Sequence, residues 1–95
     1  MSLSISKIDT VFHLSGTLYT NQVFQLRNFF VQNLENQESI TISLGGLDNL
    51  DLSAALMFKQ IKDEAYTMNK LITVFHGENQ KILGPFRMLD DQQVL

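Results

Sequence analysis

Five side chains in this sequence could do chemistry beyond folding: His13, His76, Asp48, Asp51 and Ser53. A histidine pair can hold a metal or move protons near neutral pH. Neither histidine has a third ligand at metal spacing, so structural or surface roles are favoured over a metal centre. Asp48 and Asp51 could act as paired carboxylates. Aspartate is also preferred in turns and at helix N-caps, and capping is the favoured reading. Gly45-Gly46 lacks the Gly-Lys-Ser/Thr ending of a phosphate-binding loop and is read as a turn. The chain has no cysteine, which removes disulfides, thiolate metal sites and cysteine nucleophiles together. No metal, cofactor or catalytic residue is expected.

The stretch that gathers Asp48, Asp51 and Ser53 runs from Gly45 to Phe58. It passes from a strand pattern through a glycine-led loop into an amphipathic helix pattern. Backbone N–H groups at a helix N-terminus lack intrahelical partners and face outward, so such a stretch can display a binding surface.

The elements around it derive from periodicity. Leu3 and Ile5 alternate with serines, Lys7-Ile8-Asp9 suits a tight turn, and Thr10 to Ser15 is β-branched and aromatic. These predict a hairpin, its second strand ended by Gly16. Val23, Leu26, Phe30 and Leu34 mark one face of a helix over about Asn21 to Asn36, capped by Thr20 or Asn21. Ile40, Ile42 and Leu44 predict a third strand, stopped by Gly45-Gly46. A second helix begins near Asp51 and buries Ala54, Phe58, Ile61, Ala65 and Met68. Leu71 to Phe75 reads as a strand covered on both faces. Glu78 to Leu83 predicts a short helix that Gly84-Pro85 must break or kink, with Pro85 alternatively opening a further turn. Val94-Leu95 could form a short closing strand. The order β-β-α-β-α-β-α, with or without a last strand, implies one α/β domain over residues 1–95. Its sheet is mixed, with four or five strands, parallel neighbours, right-handed crossovers and an antiparallel first strand.

Composition narrows the function. The chain has 95 residues, 44% of them hydrophobic, and a net charge of -3. That suffices for one modest core. An acidic balance with scattered lysines and arginines argues against nucleic-acid binding. No apolar run is long enough for a signal peptide or a membrane span, so a cytoplasmic location without membrane insertion is expected.

The order and spacing of three segments resemble the STAS family, the domain of bacterial anti-sigma-factor antagonists and of sulfate-transporter tails. Gly16-Thr17-Leu18, followed by a helix with Leu26-Arg27, looks like the family's Gly-Glu-Leu approach to its first helix. Leu50-Asp51-Leu52-Ser53-Ala54 looks like its Asp-Ser-Ser-Gly segment, and Met88 to Leu95 like its closing segment. The resemblance implies a non-enzymatic protein-interaction module, in which a partner kinase phosphorylates a serine at the start of the second helix. Here Leu52 stands in that serine's place, Ser53 falls on the second serine, and Ala54 replaces glycine. Thr17 and Tyr19 are neutral where the family commonly has acids.

The leading expectation is binding without a serine switch, through Asp48, Asn49, Asp51, Leu52, Ser53, Leu56 and Met57. The implied partner is an anti-sigma-type kinase or an ABC-type ATPase component. Leu52, Leu56 and Met57 could equally pack under the loop, and Phe24 and Phe29 carry the same ambiguity. One alternative keeps phosphorylation control with Ser53 as acceptor. Another is a small-ligand protein or enzyme with a pocket near His13, His76 and the loop.

Overall fold

β1 (Ser4–Ile8), exposed along its length, pairs antiparallel with β2 (Val11–Leu18), whose side chains alternate between buried and exposed; Ser4 lies opposite Ser15 and Ile8 opposite Val11. Asp9 makes the turn at φ 57°, a conformation that aspartate tolerates better than most residues. The computed structural model describes residues 2–94. After the hairpin come α1 (Thr20–Glu35), β3 (Ser39–Leu50), α2 (Leu52–Thr67), β4 (Leu71–Phe75), a 3-10 turn at Gln80–Ile82 and α3 (Leu83–Val94). The strands lie in the order β1-β2-β3-β4, with β2–β3 and β3–β4 parallel. The expected α/β architecture, a mixed sheet with three helices, is therefore what forms, and the sheet has four strands.

One face of the sheet is the core. Phe12, Leu14 and Leu18 of β2, Ile40, Ile42 and Leu44 of β3, and Ile72 of β4 are buried against Leu26, Phe30 and Leu34 of α1 and Ala54, Phe58, Ile61 and Ala65 of α2. Phe12, Phe29 and Phe30 meet edge-to-face with centroids 5.4–5.6 Å apart. Residues on the alternate positions, such as His13, Ser15, Thr73 and Phe75, are exposed. The sheet therefore carries helices on one side only.

Several boundaries differ from the sequence expectations. Gly16 does not end β2, and Gly45-Gly46 does not stop β3. Gly16 has φ +89°, and a Cβ there would sit 2.2 Å from the Ser2 carbonyl oxygen, so it admits the crossing N-terminal chain while the strand continues. In β3 the register slips twice against β2: Ser43 pairs with His13 but Gly46 with Ser15, and Leu47 pairs with Gly16 but Asn49 with Thr17. Each slip inserts an extra residue and resets the alternation. Leu47 and Leu50 thereby return to the buried side opposite Gly16 and Leu18. A Cβ on Gly46 would meet the Leu14 carbonyl oxygen at 2.9 Å, so the first bulge is close-packed. Asn79 completes it, its amide donating to the carbonyls of Leu44 and Leu47 at 2.9 and 2.8 Å.

Strand β4 is not covered on both faces. Leu71, Thr73 and Phe75 are exposed, because helices pack on only one side of this edge strand. Met68 lies beyond the buried stripe of α2, at its exposed C-cap. The expected helix at Glu78 to Leu83 is a 3-10 turn, and Gly84-Pro85 lies inside α3 without breaking it. Pro85 is the third residue of that helix, a position where a missing N–H costs no intrahelical bond. Val94 closes α3 rather than forming a strand, and Leu95 lies outside the described residues.

The two ends of α1 are fixed by side chains. Thr20 and Asn21 are the cap candidates by residue type, yet Tyr19 occupies the N-cap, because Gln22 Oε1 accepts the Tyr19 N–H at 2.9 Å. At the other end Lys70 Nζ donates to the carbonyls of Leu34 at 2.6 Å and Glu35 at 3.2 Å, a cation at a helix C-terminus.

The glycines of this frame should separate in a stability scan. Gly16→Ala is expected to cost about 2 kcal/mol or more, since both its φ and the Ser2 carbonyl forbid a Cβ. Gly45→Ala, whose Cβ would meet only the Ser43 hydroxyl at 3.7 Å, should change stability by less than about 0.5 kcal/mol. Urea denaturation of the two variants checks the order.

Candidate functional site

Asp51 is the N-cap of α2 and the residue on which the site is built. Its Oδ1 accepts the Ala54 N–H at 3.0 Å and the Ser53 hydroxyl at 2.5 Å. Its Oδ2 accepts the hydroxyl of Thr20, the first residue of α1. One carboxylate thus joins the end of β3, the start of α2 and the start of α1. Partial burial pushes the carboxyl's pKa up. Hydrogen bonds from the Ser53 and Thr20 hydroxyls and from the Ala54 and Ser53 amides outweigh that, and hold it below its ordinary value of 3.8. Asp51 is therefore ionised at neutral pH, in a place where a helix N-terminus favours an anion.

The expected site residues divide around this anchor. Leu52 and Leu56, one helical turn apart, are 36% and 41% exposed and lie on the outer face of α2. Met57 is 3% exposed and packs in the core, so it adds nothing to that outer surface. Asp48 and Asn49 are exposed in the bulged end of β3, and Lys81 Nζ lies 3.3 Å from Asp48 Oδ1. Asp48 and Asp51 each have their own partner, a lysine in one case and a cap network in the other. Ser53 is half-buried with its hydroxyl committed to Asp51. Phe24 is exposed on α1, four residues after Thr20 and three before Arg27. Those two residues are bonded to Asp51 and Glu64 respectively, so Phe24 borders the side of α1 that faces α2. Phe29, by contrast, belongs largely to the aromatic cluster with Phe12 and Phe30.

The histidines are not brought together. His13 is in β2, on the open face of the sheet opposite Ser6 and Ser43. His76 comes directly after β4 and lines a cleft of about 340 Å³ on the helix side with Phe58, Lys59, Lys62, Val74 and Phe86. No group of three or more His, Asp or Glu suited to a metal ion occurs among the described residues.

Sequence reasoning missed Thr20 as a partner of Asp51. It also missed Asn79 at the bulge and Lys70 at the end of α1. These contacts span 31 to 36 residues, and no local spacing announces them.

The STAS domain profile matches residues 2–70. The chain belongs to the STAS family. The match takes in β1 to α2 and the whole Asp51 network, and ends before β4, the 3-10 turn and α3. No curated protein matches the chain. STAS domains are anti-sigma-factor antagonist-like modules that act through protein interactions and are generally not enzymes. No helix among the described residues is long and apolar enough to cross a membrane.

The network sets an expectation for acid stability. A carboxyl whose folded pKa is depressed contributes stability above its unfolded value of about 3.9, and that contribution is lost as pH falls through the lower folded value. Asp51→Asn, which keeps a capping residue but cannot ionise, should therefore flatten the stability profile below about pH 4. Asp51→Ala should in addition cost about 1–2 kcal/mol at pH 7 through loss of the cap. Thermal melts of both variants from pH 2 to 7 check the sign and the order.

Proposed function

We propose that this STAS domain is a constitutive protein-interaction module that contacts its partner through the bulged end of β3 and the first turns of α2. Asp48, Asn49, Leu52 and Leu56 form the contact surface, and Asp51 holds it in place. Met57 is left out because it is part of the core. The partner is a regulatory or transport protein of the class the family serves, an anti-sigma-type kinase or an ABC-type ATPase component, met in the cytoplasm. The observation that carries this reading is the exposed Leu52–Leu56 pair on a helix start fixed by three hydrogen bonds to Asp51. Exposed apolar side chains on a rigid element can be buried by a partner with little entropic cost of ordering them.

The same geometry favours constitutive binding over a Ser53 phospho-switch. The position that corresponds to the family's phosphorylated serine is Leu52, which has no hydroxyl. Ser53 has one, but it donates to the Asp51 carboxylate at 2.5 Å. A phosphoryl group there would remove that donor and set about -1.5 to -2 charges beside an ionised carboxylate. The Ala54 N–H that could receive a phosphate oxygen is already bonded to Asp51.

Leu52→Asp and Leu56→Asp should each reduce capture of the native partner at least about tenfold, a loss equivalent to about 1.4 kcal/mol, with the melting temperature nearly unchanged. Tyr66→Asp, at a site 79% exposed near the far end of α2, is the control and should bind normally. Partner retention on the immobilised chain, measured with each variant, decides; normal retention by both leucine variants removes this surface from consideration. Intact-mass measurement of the protein from its native cells tests the phosphate question separately. Only the unphosphorylated mass is expected, and a species heavier by one phosphate that maps to Ser53 would restore the switch.

A further inference from the structure

The outer edge of β4 has a hydrogen-bonding and side-chain pattern that is complementary to itself. The Leu71 N–H donates to the Glu38 carbonyl at 3.1 Å, and Leu71 is in register with Ser39. In a parallel ladder the residues that bond one neighbour alternate along the strand. Leu71, Thr73 and Phe75 therefore turn their backbone groups to β3, and Ile72 and Val74 turn theirs outward. Among the described residues no strand pairs with that edge. The side chains alternate in the same period. Leu71 (56% exposed), Thr73 and Phe75 (42% exposed) project on the open face, while Ile72 is buried under the helices. The strand Leu71-Ile-Thr-Val-Phe75 has no charge, proline or bulge, which are the devices that usually keep a sheet edge from pairing.

We propose that this edge pairs with β4 of a second copy of the chain, antiparallel and centred on Thr73. That register places Ile72 opposite Val74 of the other copy as a hydrogen-bonded pair, and it does so twice. All four outward N–H and C=O groups of each strand are then satisfied. Leu71 faces Phe75 of the other copy and Thr73 faces Thr73, all at non-hydrogen-bonded positions, where side chains on the two strands approach most closely. Each exposed apolar side chain thus gains an apolar partner, and the two sheets join into one of eight strands. A shift by two residues would set Leu71 against Thr73 and leave Phe75 without an apolar partner, so the side chains and the backbone select the same register. The interface is isologous, as a two-fold dimer requires. A five-residue strand pair is small beside a standard interface, so the dimer is weak, with a Kd on the order of 0.1 mM.

Sedimentation equilibrium on the full chain up to about 1 mM, well above that Kd, tests the pairing. The wild type should shift from monomer towards dimer with concentration. Thr73→Lys and Thr73→Glu each set like charges directly opposite one another and should stay monomeric alone. An equimolar mixture should recover the dimer, since lysine then faces glutamate across the two-fold axis. Amide exchange at Ile72 and Val74 should slow with concentration in the wild type and stay fast in T73K. Monomer at all concentrations, a dimer indifferent to T73K, or protection of Ile72 and Val74 that persists in the T73K monomer would each overturn the proposal.

Discussion

Two helices that come after parallel strands of one sheet begin at the same edge of it, and their positive ends lie side by side. Each end has about half an elementary charge, so the arrangement is unfavourable unless an anion sits between them. Asp51 is that anion. It caps α2 through Ala54 and accepts the hydroxyl of Thr20 at the first turn of α1. Hydrogen bonds from the Ser53 and Thr20 hydroxyls and the Ala54 N–H hold its carboxyl in the charged form despite partial burial, so the compensation persists across the neutral range. At the opposite edge Lys70 supplies a cation to the C-terminal carbonyls of α1. These charges, together with the core beneath them, set the relative placement of α1 and α2, and hence of Leu52, Leu56 and Phe24.

The core decides how tightly the helices sit. Ala54, Ala55 and Ala65 are fully buried, so α2 lies on the sheet with almost no side-chain thickness at those points. Phe58 fills the larger gap and meets Phe30 of α1 at 6.4 Å between centroids. The ion pair of Arg27 with Glu64, at 2.6 and 2.7 Å, also bridges the helices but is half-exposed. A pair of that kind is worth about 0–1 kcal/mol. Burial of one large apolar side chain is worth about 1.5–3 kcal/mol. Apolar packing therefore sets the spacing of the helix pair, and the ion pair adds little more than a preference for its rotation.

Much of this is legible in the residues. The element order, the antiparallel start, the buried stripe Leu26-Phe30-Leu34 and the cap at Asp51 are all written in local patterns of period two, period 3.6 and capping preference. The glycines mislead because glycine signals two opposite things: a chain that turns, or a chain that another segment approaches closely. Gly16 and Gly46 do the second, and only the distances to Ser2 and Leu14 distinguish the two. The bulges also break the alternation that would extend β3 to Leu50, so Leu47 and Leu50 look like loop residues. Strand β4 looks doubly covered because an edge strand with apolar side chains on both faces has the same composition as a central one. At the site, the identity of Asp51 as a cap is visible, as is the absence of a hydroxyl at Leu52. The burial of Met57 is not, since it lies on the flank of the buried stripe of α2, where tertiary packing rather than local pattern decides coverage.

The proposed partner surface and the β4 edge are separate in the fold, and the symmetry of strand pairing relates them. Leu52 and Leu56 lie on the outer side of the helix layer, at its N-terminal end. The β4 edge lies at the side of the sheet, with its exposed side chains on the opposite, open face. A two-fold axis that joins two β4 strands in one continuous sheet runs perpendicular to that sheet, so both helix layers remain on the same side. Two copies would then present Leu52 and Leu56 on the same side of the joined sheet but at opposite ends of it, available to a partner that is itself two-fold. Each contact can be weak in that arrangement, because the second binding event becomes intramolecular and gains an effective concentration without any new contact. Under the proposed constitutive binding, with leucine rather than serine at position 52, one adjustable quantity would remain: the chain's own concentration, through which the strength of partner binding would vary.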